Sequence, residues 1–272
     1  MKKSTGIIAS ILLILVISWA KDTSRQNTAN EKIAQGLPLE EVETPQSLTN
    51  YIIRYQPMTV SFNQDTHQPN WVAWELTREE TEGEHSRDDA AGFAVDPNVP
   101  GCASPADYTR SGYDRGHMAP AGDMKWSPTA MRQSFLMTNI SPQAPELNRG
   151  AWKKLEEKCR VKAQADSAII IVCGPIFDNP GQPAINIGNT GVAVPDRFFK
   201  VVLSPYTDPP QAIGFIMTNG HVDGGMQNAA VSVDSVESLT GFDFFAALPD
   251  DIENTIESRC DFNRWSHIKR RR

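Results

Sequence analysis

Three short apolar runs constrain the fold of this chain most tightly: Ala168–Cys173, Phe198–Leu203 and Ala212–Met217. Each is too short for a buried helix, is rich in β-branched or aromatic residues, and is bounded by Gly, Pro, Asn or Asp. Buried strands satisfy those constraints. Tyr51–Tyr55 and Trp71–Thr77 carry the same strand chemistry, with turn-forming residues over Asn63–Asn70 between them. Helical texture appears over Asn148–Ala163, Thr129–Phe135 and Asp250–Cys260. The stretch Glu75–Asp89 holds seven acids against two arginines and reads as a solvated loop. Strands and helices do not alternate regularly, so the pattern predicts an α+β fold rather than a doubly wound parallel sheet. No internal repeat is present.

The N-terminus reads as an export address. Lys2 and Lys3 precede an apolar run, Gly6–Ala20, that falls short of the roughly 20 residues needed to span a bilayer. Ser18 and Ala20 occupy the small-residue positions of a cleavage site. Residues 1–20 are expected to be a signal peptide, the alternative being an uncleaved anchor that would hold the protein on a membrane. Either way the folded part is expected to be secreted or periplasmic. Residues 21–45 read as a polar linker, which leaves 46–272 as the folded domain. Cys102, Cys159, Cys173 and Cys260 include no CxxC pair, which speaks against a zinc ribbon. In an oxidising compartment they are expected to form two disulfides, buried free thiols being the other reading.

The net charge is −7, which argues against a nucleic-acid partner at first sight, because phosphate binding draws on basic surface. The charge is unevenly placed. Arg110–Arg160 contains nine Lys/Arg and five Asp/Glu, hence +4, and the remainder carries −11. The same basic segment holds the candidate chemistry. In Asp114-Arg115-Gly116-His117 an arginine fork that matches two phosphate oxygens stands beside an imidazole able to take a proton near pH 7. By itself this tetrapeptide fits a strand end with a packed histidine equally well. Further on, Leu147, Trp152, Leu155 and Cys159 share one helical stripe. Asn148 is either the N-cap of that helix or an amide-oxygen donor to a hard cation. Glu156, about two turns later, is either a solvated charge or a carboxylate that holds a cation-bound water or orients the histidine. His67, His85, His221 and His267 lack metal-ligand spacing and read as loop or surface residues. No HExxH, P-loop or GxSxG motif occurs.

Taken together, Asp114–His117, Thr138–Gln143 and Leu147–Trp152 with Glu156 resemble, in order and spacing, the DNA/RNA non-specific endonuclease family of secreted bacterial nucleases and mitochondrial endonuclease G. Trp71–Thr77, Pro105–Thr109 and Val172–Pro175 extend the resemblance over roughly residues 50 to 220, judged on joint occurrence. It implies an α+β fold with a mixed or antiparallel sheet core and a ββα-metal (His-Me) finger. It implies His117 as the general base, and Asn148 as the one protein ligand of Mg2+, or of Mn2+ in its place. Glu156 would hold a metal-bound water, and Arg115 would contact the scissile phosphate. Arg87 would stabilise the transition state. Arg160, Asn139 and Gln143 would contact substrate. Residues 21–50 and 225–272 match nothing in the family's pattern. The latter include an acidic stretch, Asp243–Asp261, with six acids and one arginine. The basic tail Lys269–Arg272 reads as frayed.

This division of labour fits phosphodiester hydrolysis. A positioned base contributes roughly 10²–10⁴ in rate, or about 3–5 kcal/mol. A lone amide ligand suits Mg2+, which keeps its waters, and not zinc, which wants several N or S donors. The expected activity is an exported Mg2+-dependent endonuclease on DNA and RNA with little sequence preference, since phosphate and sugar contacts carry no base information. No stable protein partner is evident. A phosphodiesterase of small nucleotides and a catalytically silent binding protein are the competing functions.

Overall fold

The run Ala168–Ile176 is buried along its whole length. A strand with apolar side chains on both faces belongs in the middle of a covered sheet, and that is where the computed structural model places it. The structure describes residues 37–179 and 183–268. The seven strands are β1 (Tyr51–Arg54), β2 (Thr59–Asn63), β3 (Gln68–Thr77), β4 (Ala168–Ile176), β5 (Arg197–Ser204), β6 (Gln211–Thr218) and β7 (Ala230–Val231). They lie side by side in chain order, every neighbour antiparallel. One long excursion, residues 78–167, leaves after β3 and returns into β4, and it carries all the candidate site residues.

All three apolar runs are strands, as their chemistry requires. β2 is one the pattern does not announce, and the expected turn shrinks to residues 64–67. Gly174 lies where β4 runs against β3: a Cβ there would sit 2.2 Å from the Asn70 carbonyl oxygen. The two faces are covered differently. Leu155, Cys159 and Ala163 of the helix Lys153–Asp166 pack with Trp74, Cys173 and Phe198 on one face. On the other, Phe199 stacks with Phe242 and Phe244, which follow the helix Val233–Thr240. The C-terminal region without a motif therefore supplies the second cover of the sheet. No helix among the described residues is long and apolar enough to cross a membrane.

Three expectations change. The compact unit begins at Leu39, not after residue 45, because Val42–Glu43 pairs with Asp243–Phe244. The acidic stretch after Glu75 is structured at both ends: Glu80 closes a capping box with Thr77, and Asp89 closes one with Ser86. The expected disulfides are not formed; all four cysteines are free. Cys159 and Cys173 serve as small apolar groups in the core, a role that an argument from compartment does not see. The signal segment 1–20 and the tail Lys269–Arg272 lie outside the described residues.

Candidate active site

The strand Asp114–His117 pairs antiparallel with Ile140–Gln143, His117 opposite Ile140 and Asp114 opposite Gln143. The chain then passes through Pro145–Leu147 and a wide turn, Asn148–Trp152, into the helix Lys153–Asp166. This is a ββα finger laid on the sheet. Gly116 is needed in it, since a Cβ would lie 2.2 Å from Gln143 Oε1.

An aromatic pair forms the floor under the first three candidates. Phe93 and Phe135 meet at 5.0 Å between centroids, and the His117 ring sits 5.3 Å from one and 4.8 Å from the other. The Arg115 guanidinium lies over Phe93 at 5.4 Å and Arg87 over Phe135 at 5.6 Å. Arg115 is further pinned by donating Nη2 to the Pro105 carbonyl at 2.7 Å. Arg87 is exposed, and none of the ion pairs among the described residues includes it. His117 Nε2 is buried with no partner. Burial, and then the charge of Arg87, push the imidazole down to about 3. The ring is thus neutral, with an unused nitrogen, at any physiological pH.

Asn148 forms the second group. It is not a helix N-cap: its own backbone is helical, and the chain kinks two residues later at Gly150 (φ −109°, ψ −109°). Its Nδ2 donates to Asp114 Oδ2 at 2.9 Å. Arg149 holds the same carboxylate through Nε at 2.8 Å and Nη2 at 2.6 Å. Burial would raise the Asp114 carboxyl, but the bonds from Arg149 and Asn148 outweigh it and keep it below its ordinary value. With Nδ2 committed, Asn148 Oδ1 is left as a free acceptor. One neutral amide oxygen with a carboxylate near by fits a hard, water-retaining cation and does not fit zinc.

Glu156 forms the third. It is half-buried and pushed up to about 8, chiefly by burial, with Asp123 adding to the rise and Lys200, Arg160 and Arg87 opposing it. The charge of Arg87 bears on both His117 and Glu156, lowering each. Arg160 donates Nη1 to Asp123 Oδ1 at 2.8 Å, and Asp123, 1% exposed, also accepts from Trp74 Nε1. Its guanidinium is thus engaged with the scaffold.

Two expected substrate contacts are corrected by burial. Asn139 is fully buried; its Nδ2 donates to the carbonyls of Ala119 and Ser134, and its Oδ1 accepts from Ala119 N–H. It staples the loop after His117, and burial keeps its amide committed to that loop. Gln143 is fully buried beneath Gly116. Asp114, which the sequence leaves between orienting a neighbour by hydrogen bonding and supporting the backbone, orients the Asn148 amide. Sequence reasoning missed two contributors, Lys200 and Asp123. Lys200 lies buried with its Nζ 5.0 Å over Trp74 and 4.5 Å over Trp152, and its signal is a lone lysine inside an apolar run. Asp123 has no readable signal.

Comparisons with known proteins point to one family, whose reach overturns the expectation that residues 35–50 and 225–251 match nothing in its pattern. The model of the DNA/RNA non-specific endonuclease family matches residues 35–251. A nuclease of Nostoc sp. is 33% identical over 234 residues, covering 80% of this chain and 82% of that protein. The mitochondrial nuclease EXOG of Danio rerio is 36% identical over 208 residues, 71% of this chain and 60% of that protein, so the chain spans less than two thirds of that relative. A solved chain from the EndoG/EndoGI complex is similar at a TM-score of 0.70 and 27% identity, over 80% of this chain and 93% of that one.

Proposed function

This chain belongs to the DNA/RNA non-specific endonuclease family, and from that premise we propose that it is an exported, Mg2+-dependent endonuclease that hydrolyses DNA and RNA with little sequence preference. The reading is carried by the hydrogen bond from Asn148 Nδ2 to Asp114, which fixes the amide so that Oδ1 is the free end. Asn148 Oδ1 would hold the Mg2+, whose chemistry when bound is to neutralise charge on the phosphate oxygens. Glu156 would add its carboxyl to the cation's surroundings, where the cation's charge would favour the ionised form that burial disfavours.

The His117 imidazole takes a proton from the attacking water as the new P–O bond forms and the bond to the leaving sugar oxygen breaks. The leaving oxygen is protonated from solvent. His117 enters the step neutral because its pocket disfavours the charged ring. As it takes the proton, the ring gains a charge opposite the negative phosphorane, and that attraction replaces the lost hydration. Arg87, exposed and unpaired, meets the non-bridging oxygens. Arg115, pinned between Phe93 and the Pro105 carbonyl, presents its remaining N–H groups beside them. None of these groups reads a base edge, which supports low sequence preference.

The test is digestion of plasmid DNA and of RNA by the purified chain with Mg2+, with EDTA, and with His117→Ala. Cleavage of both polymers that needs the metal and drops by about 10²–10⁴ in the variant is expected. No cleavage of either polymer overturns the reading, and activity only on small diesters makes the enzyme a phosphodiesterase instead. Export rests on residues 1–20 and is checked by cell fractionation and by sequencing the N-terminus of the recovered protein.

A further inference from the structure

We propose that Asp234, Glu237 and Glu257 form a binding site for a hard divalent cation, Ca2+, that ties the C-terminal helix Asp250–Glu257 to the helix Val233–Thr240. The three carboxylates each offer an oxygen, and these oxygens lie within 4.8 Å of one another. Oxygens sharing one Ca2+ at about 2.3–2.6 Å can be no more than about 5 Å apart, so the spacing matches a common ion. Asp234 and Glu237 stand three residues apart on one helix face. Glu237 Oε1 is held by the Phe244 N–H at 2.9 Å, which fixes that carboxylate and leaves its second oxygen free.

Glu257 is the observation that asks for a ligand. It is only 4% exposed, and its Oε1 is buried with no hydrogen-bond partner. Unpaired buried carboxylates are rare because desolvation is so costly. Among the described residues no ion pair relieves it, since none includes Asp234, Glu237, Asp243, Glu253 or Glu257. Burial, and then the neighbouring acids Glu237, Glu253, Asp234 and Asp243, push it up to about 9. A bound dication inverts that environment. Three carboxylates with no N or S donor exclude a zinc preference, and an irregular cluster filled out by water suits Ca2+ better than the strict octahedron of Mg2+.

The site is separate from Asn148. Phe198 and Lys200 of β5 face Trp152 of the finger, whereas Phe199 faces Phe242 and Phe244, beside this cluster. Phe244 also pairs with Val42, so the clamp would join both ends of the compact unit. Its function would be to lock the fold wherever Ca2+ is abundant.

The experiment is thermal unfolding of the full chain in Ca2+, Mg2+ or EDTA, for wild type, Asn148→Ala, Glu257→Gln and Asp234→Asn. Ca2+ at 100 times its Kd raises Tm by roughly 5–10 °C in wild type and equally in Asn148→Ala. Both acid variants lose that rise. A wild type indifferent to Ca2+ overturns the proposal, as does a full rise in Asp234→Asn, an exposed position whose substitution the fold tolerates. An equal rise with Mg2+ in Asn148→Ala overturns the choice of Ca2+.

Discussion

Substituting His117 by Gln removes a group whose titration differs sharply between the folded and unfolded chain. The folded imidazole is held down at about 3 by burial between Phe93 and Phe135 and by Arg87; in the unfolded chain it returns to about 6.5. Between those values the unfolded state carries a proton that the folded state refuses, so stability rises with pH across the window. The contribution is fully present above about pH 6.5 and is lost as pH falls towards 3. The whole window is worth about 5 kcal/mol, at 1.36 kcal/mol per pH unit. From pH 7 to pH 5 the loss is about 2 kcal/mol. Urea unfolding of wild type and His117→Gln in EDTA at pH 7, 6 and 5 measures it, because all other titrations are shared and cancel in the difference. Wild type should lose about 2 kcal/mol more than the variant over that range. Parallel profiles would refute the argument that the base is kept neutral by its aromatic pocket, and the mechanism would then need another source for its unprotonated nitrogen.

The two outlying arginines should separate cleanly. Arg87→Ala leaves stability within about 0.5 kcal/mol but lowers kcat/KM by about 10²–10³, whereas Arg160→Ala strands buried Asp123 and costs about 3 kcal/mol in urea unfolding. Asp114→Ala frees the Asn148 amide to rotate, and the Mg2+ concentration for half-maximal cleavage should rise about 10- to 100-fold. Gly174→Ala drives a methyl into the Asn70 carbonyl and should cost at least about 3 kcal/mol, read from the denaturation midpoint. A reducing agent should leave Tm unchanged, and thiol titration of the denatured chain should count all four cysteines.

How much of this was legible in the sequence depends on whether a residue's neighbours in space are also its neighbours in the chain. The apolar runs became β4, β5 and β6 because burial on both faces leaves a continuous signature that needs no partner to be read. The helix bearing Glu156 was readable from the apolar stripe it carries itself, whereas the Asp114–His117 strand, whose partner Ile140–Gln143 is distant, was placed by the family resemblance. What failed involved distant partners. Asn148 looks like an N-cap until Asp114, from the opposite strand of the finger, takes its amide. Asn139 and Gln143 look like ligand contacts until the Ala119 loop and Gly116 close over them. Lys200 was hidden within a strand assigned on hydropathy, and the two indoles around it, with the charges of Glu156 and Asp123, explain a buried ammonium there.

The same distinction resolves the conflict between a net charge of −7 and a polyanionic substrate. Charge is a sum over the chain, but a phosphate feels only what lies within a Debye length, about 8 Å at physiological ionic strength. The alternation of β5 sends Phe198 and Lys200 towards the finger and Phe199 towards the C-terminal cover. The basic segment and the Asp234–Glu257 acids are thereby assigned to opposite faces of the sheet, and a side-chain layer packs on each face of a sheet with about 10 Å between packed layers. The Asp234–Glu257 acids therefore lie across the sheet from the finger, while Arg87 and Arg115 stand over Phe135 and Phe93, the same rings that His117 packs on. An open, basic finger on an acidic body binds a polymer at a few phosphates and lets it go, which suits an enzyme that must release its products.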